Sequence, residues 1–132
     1  MKFMLDTNTC IYLIKHRPQR LLNRFERTPV GDIGISTITL AELEYGASKS
    51  RWPDRNRKAL REFAAPLEVA AWDQPATAIY GKIRALLEKK GRVIGAMDLL
   101  IAAHALSLGV QLITNNEAEF KRVPGLRVVN WM

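Results

Sequence analysis

Short apolar runs alternate along the chain with longer stretches whose hydrophobic residues recur at helical spacing. Lys2 to Leu5, Asp32 to Ile35, Leu67 to Ala70, Gln111 to Thr114 and Leu126 to Val129 are short, apolar and rich in β-branched residues, and predict five strands. Between them, Cys10 to Lys15, Arg20 to Glu26, Ile38 to Tyr45, Asp54 to Ala64, Pro75 to Lys90 and Ala96 to Leu108 carry helical patterns. Gly46, Gly91 and Gly109 stand just past three of these helices, where a C-terminal cap is expected. Strands alternating with helices predict an α/β fold: a mostly parallel five-stranded central sheet flanked by helices. No repeat or linker interrupts the pattern, so residues 1–132 are expected to form a single domain.

The helix from Ala96 to Leu108 is apolar on nearly every face, which predicts burial on most sides, yet it contains Asp98. A carboxylate in such a setting needs a cation, a set of donors or a proton. Ligand crevices of open α/β sheets lie beyond the carboxyl ends of the strands. Asp6 follows the first strand, Glu42 sits early in the helix after the second, and Asn116 and Glu119 follow the fourth. Each has a structural explanation: Asp6 or Asn8 as a helix cap, Thr39 to Glu42 as a capping box, Asp98 as a complement to a helix dipole. Together they describe four acids from four segments meeting at one edge. Three carboxylates about 5 Å apart at an effective dielectric near 20 would repel by about 3 kcal/mol per pair, about 10 kcal/mol in all. That rivals the stability of a small domain, so a cation or protonation must relieve it. Oxygen-only ligands suit Mg²⁺ or Mn²⁺, which can acidify a bound water and stabilise charge on a phosphodiester.

Charge adds a partner to this picture. Twenty Lys and Arg against thirteen Asp and Glu give a net charge of +7, which favours a polyanion. The excess lies in the first half, at Lys15, Arg17, Arg20, Arg24 and Arg27 and again at Lys49, Arg51, Arg55, Arg57, Lys58 and Arg61. With hydrophobic residues at 48% and charged residues at 25%, disordered and low-complexity classes are excluded. Cys10 is the only cysteine, so no internal disulfide forms, and a reducing, cytoplasmic setting is expected. Asp6 interrupts the apolar start long before a signal-peptide core is complete, and no stretch reaches the roughly 18 apolar residues of a membrane span.

Four segments resemble the PIN-domain ribonucleases, and more closely the VapC toxins of bacterial type II toxin–antitoxin pairs. They are Phe3 to Asn8; Ile35-Ser36-Thr37-Ile38-Thr39-Leu40-Ala41-Glu42-Leu43-Glu44-Tyr45-Gly46; Ile94 to Ala105 around Asp98; and Thr114 to Phe120 with Val123-Pro124-Gly125-Leu126. The set covers nearly the whole chain in family order. The resemblance implies a PIN-like fold and an Mg²⁺- or Mn²⁺-dependent endoribonuclease that leaves 5′-phosphate and 3′-hydroxyl ends. It implies Asp6, Glu42 and Asp98 as metal-binding acids, with Glu119 as a fourth, while Asn116 stands where many relatives carry Asp. Thr7 and Thr114 match accompanying hydroxyls that orient ligands or water. The resemblance further implies a homodimer, higher toxin–antitoxin assembly, and a VapB antitoxin that pushes a basic side chain into the acidic pocket. The implied substrates are structured RNAs, the initiator tRNA anticodon stem-loop among them.

Two other readings compete. A haloacid-dehalogenase-like phosphatase would use Asp6 as nucleophile, but it expects a second acid where Asn8 stands and a late acidic pair where Asn115 and Asn116 stand. A non-catalytic RNA-binding module would use the basic clusters, with Tyr45 and Trp52 as the nearby aromatics. Metal-free cleavage through His16 and His104 has no pairing signal, since the two lie in different helices.

Overall fold

Phe3, Met4 and Leu5 form β1, and they set the layering of the molecule because successive strand side chains point to opposite faces. Met4 joins an apolar cluster with Ile83, Leu87, Leu99 and Leu112, whereas Leu5 joins a second with Leu13, Leu21, Ile35, Leu60 and Ile113. The computed structural model describes residues 1–132 and contains one parallel sheet with helices on both faces. Its strands are β1 (Phe3–Leu5), β2 (Ile33–Ser36), β3 (Glu68–Ala70), β4 (Gln111–Ile113) and β5 (Val128–Val129), in the order β3-β2-β1-β4-β5. The chain builds from β1 outward to β3, then crosses back to place β4 on the other side of β1. That reversal opens a crevice beyond the carboxyl ends of β1 and β4.

One face carries α1 (Thr7–Ile11), a π-helical turn over Tyr12–His16, α2 (Gln19–Arg27), α3 (Thr37–Ser48) and α4 (Pro53–Ala64). The other carries α5 (Gln74–Lys89), α6 (Ala96–Leu108) and the short α7 (Glu117–Phe120). As its composition predicts, α6 buries Leu99 and every residue from Ile101 to Ala105. Gly91 and Gly109 have φ of +65° and +66° and terminate α5 and α6 in the left-handed conformation that glycine adopts without a Cβ clash.

The structure departs from the sequence expectations at several helix ends. The first helix starts at Thr7 rather than Cys10, because Asp6 caps it by accepting from the Thr9 N–H at 2.8 Å, and it passes into the π turn. Gly46 does not end α3, which continues to Ser48 with Leu43 and Ala47 buried. The Thr39–Glu42 capping box does not form either: Ser36 is the cap, accepting from the Ile38 N–H at 3.0 Å, so Thr39 lies inside the helix and Glu42 is free for another role. Asp32 belongs to a 3₁₀ turn rather than to β2, and α7 is an element that the apolar pattern did not predict.

Candidate active site

The residues of the crevice come from the end of β1, the start of α1, the middle of α3, the first turn of α6, and the segment from the end of β4 into α7. Asp6, at the end of β1, is 2% exposed, with Oδ1 accepting from the Thr9 N–H and Oδ2 from the Thr114 hydroxyl at 2.5 Å. Thr114 directly follows β4, so this bond joins the two strands that flank the reversal. Its hydroxyl also accepts from the Asn116 N–H at 2.9 Å. From α3, Glu42 accepts from the Thr7 hydroxyl at 2.5 Å, which ties that helix to the start of α1. Asp98 stands in the first turn of α6, and Glu119 in α7.

Glu119 is the best supported of the four acids. Its Oε1 accepts from the Gly95 N–H at 2.8 Å and its Oε2 from the Asn116 side-chain amide at 2.6 Å. These donors favour the charged form, and the Gly95 N–H above all holds the Glu119 carboxyl below its ordinary range. Asp98 has no such donors. Partial burial, the adjacent Glu119 charge, a hydrogen bond to Glu119 and the more distant charges of Asp6 and Glu42 push it up to about 7. Of the two carboxyls, Asp98 is the one that these surroundings favour in the protonated form. Burial also raises Asp6, although its Thr114 and Thr9 bonds oppose the shift.

The other three acids thus act on Asp98 electrostatically, and none of the four takes part in the ion pairs of the molecule. No three of them close into a ready-made cage. The residue whose role the sequence did not reveal is Gly95. It caps α6, and its backbone faces both carboxyls closely enough that a Cβ there would lie 3.6 Å from Glu119 and 3.7 Å from Asp98. A glycine at a helix N-cap was the available signal.

The competing readings find less support. The phosphatase reading still lacks its two further acids, since Asn8 and Asn116 stand in their places and Asn116 acts as a donor to Glu119. His104 is 1% exposed, bonded through Nδ1 to Ser36 Oγ at 2.7 Å and shifted down by burial, whereas His16 is exposed beside Tyr12. The two histidines form no catalytic pair.

The PIN domain family model matches residues 3–126. Over the full length, the chain is 46% identical to ribonuclease VapC2 of Haemophilus influenzae, covering 100% of this chain and 99% of that protein. It is 47% identical to the tRNA(fMet)-specific endonuclease VapC of Salmonella typhimurium, covering 99% and 98%. The crystal structure of DNA-bound VapBC from Salmonella typhimurium superimposes with a TM-score of 0.96 at 46% identity, over 100% of this chain and 99% of that one.

Proposed function

Because the chain belongs to the PIN-domain family and, within it, to the VapC ribonucleases, we propose that it is a divalent-metal-dependent endoribonuclease toxin acting on structured RNA. The observation that carries this reading is the meeting of Asp6, Glu42, Asp98 and Glu119 at the reversal of strand order, where none of them forms an ion pair and Asp98 is held up to about 7 by burial and its acidic neighbours. A site made of carboxylate oxygens that mutually repel fits Mg²⁺ or Mn²⁺ in donor type and in charge.

In this reading Asp6, Glu42, Asp98 and Glu119 hold the ion. When bound, it supplies an acidified water and positive charge at the phosphodiester. The protein's own groups orient that chemistry. The Thr114 hydroxyl fixes the Asp6 carboxylate, the Thr7 hydroxyl fixes Glu42, and Asn116 with the Gly95 N–H fixes Glu119. Each is a supporting donor to a ligand. Asn116 serves here through its amide, as a donor to an acid. Attack of water on phosphorus with departure of the 3′ oxygen gives 5′-phosphate and 3′-hydroxyl ends. The initiator tRNA anticodon stem-loop is the candidate substrate, given the activity named for the Salmonella relative. We further propose a homodimer held inactive by a VapB-type antitoxin, since relatives crystallise as VapBC complexes.

Incubating the purified chain with initiator tRNA in Mg²⁺ and mapping the ends tests the reading. Cleavage at a defined position, with 5′-phosphate ends and complete loss in EDTA, is expected. Cleavage that persists in EDTA with cyclic phosphate ends would contradict it.

A further inference from the structure

The positive charge of the first half is unevenly neutralised. In α4, Arg57 pairs with Asp54 at 3.3 Å, and Arg55 lines a cleft that Glu42 also lines; before that helix, Lys49 and Arg51 cover the rings of Tyr45 and Trp52. In α2, Arg20, Arg24 and Arg27 make no ion pair and no side-chain hydrogen bond. At i, i+4 and i+7 they share one helix face, about 6 Å apart for the first pair and about 10 Å from first to last along the axis. That face forms one wall of a shallow cleft of about 380 Å³, closed on the other side by Val129, Asn130 and Trp131. The Arg24 guanidinium lies over the Trp131 ring at 5.3 Å, and the indole is itself packed edge-on against Phe3. Arg24 is therefore held in place before any ligand arrives. A second cleft of about 410 Å³ shares Arg24 and Arg27 and extends the path past Lys2.

We propose that this arginine face of α2 is a phosphate-binding track for RNA lying outside the cleavage site, an inference that rests on the ribonuclease reading above. The first cleft is lined by no acid, and Asp32, the one acid lining the second, is paired with Lys2 at 3.9 Å rather than with an arginine of α2. None of the large exposed hydrophobic residues of the molecule lines it, so a protein partner would find no apolar anchor there. Asn130 at its rim donates to Glu117 at 3.2 Å, and Glu117 begins the helix that carries Glu119. The track therefore adjoins the acidic crevice, and a strand cut at the crevice can continue along α2. Because phosphate contacts carry no base information, the track contributes affinity and register rather than sequence choice.

The test compares two RNAs, intact initiator tRNA and its isolated anticodon stem-loop, with the unmodified chain and with Arg20→Gln/Arg27→Gln. That pair leaves Arg24 on Trp131 and so spares the packing. Cleavage is measured on both RNAs, and binding of intact tRNA is measured in Ca²⁺, without turnover, between about 50 and about 200 mM salt. Loss of two phosphate contacts is expected to lower the slope of log affinity against log salt by about 1.5, so the fall over that range becomes about eightfold to tenfold smaller than in the unmodified chain. Arg20→Lys/Arg27→Lys is expected to restore the slope, and stem-loop cleavage is expected to stay unchanged. An unaltered slope on intact tRNA overturns the track while leaving the nuclease intact. A variant that binds tRNA normally but fails to bind the antitoxin also overturns it, in favour of a protein-binding face. If the unmodified chain neither binds nor cuts either RNA, the ribonuclease reading has failed, and the track falls with it.

Discussion

Asp98 and Glu119 show how two like side chains are driven to opposite behaviour by their immediate donors. Glu119 receives two N–H groups and stays charged, while Asp98 receives none and is pushed up to about 7. A folded-state value above the unfolded one means that the folded protein binds the extra proton, so stability falls as pH rises from about 4 through about 7. In chelator, Asp98→Asn is therefore expected to raise the melting temperature relative to the unmodified chain at pH 8 and to lose that advantage near pH 4, as thermal denaturation across pH would show. The same substitution is expected to reduce cleavage by more than the tenfold to hundredfold typical of losing a supporting residue. Thr114→Val and Thr7→Val, which remove only the hydroxyls that orient Asp6 and Glu42, are expected to fall within that tenfold to hundredfold range in a cleavage assay. Asp98 was legible in the sequence because an ionised residue in an all-apolar helix is conspicuous. Gly95 was not, because its contribution is a backbone N–H that the residue's identity does not advertise.

At the level of elements, the strands and long helices followed from hydrophobic period, since two apolar cores, one on each face of the sheet, leave little choice of face. Helix starts did not, because several polar residues compete for each cap. Ser36, Thr37 and Thr39 all offer hydroxyls, and only tertiary placement decides for Ser36, which is also held by His104. Freed from the cap, Glu42 faces the crevice. Close strand packing adds a constraint of its own. A Cβ on Gly34 in β2 would lie 2.7 Å from the Glu68 carbonyl oxygen in β3 and would meet the Met1 side chain. Gly34→Ala is expected to cost about 1–3 kcal/mol in denaturant unfolding, with activity per folded molecule preserved, because the strain falls on the sheet and away from the acids.

Across the whole molecule, five parallel strands and their reversal at β1 and β4 bring together acids separated by more than a hundred positions in the chain. The chain is positive as a whole while Asp6, Glu42 and Glu119 gather around Asp98, so the long-range field favours a polyanion and the local field disfavours one at the crevice itself. No helix is long and apolar enough to cross a membrane. On the proposed reading, a metal ion held by the crowded carboxylates would displace a proton from Asp98. Calorimetric titration of the chelator-stripped chain with Mn²⁺ near pH 7, in two buffers of different ionisation enthalpy, measures binding and proton release together. Saturable binding with release of a fraction of a proton, lost in Asp98→Asn, is the predicted result. No binding, or binding that Asp98→Asn leaves unchanged, would contradict it.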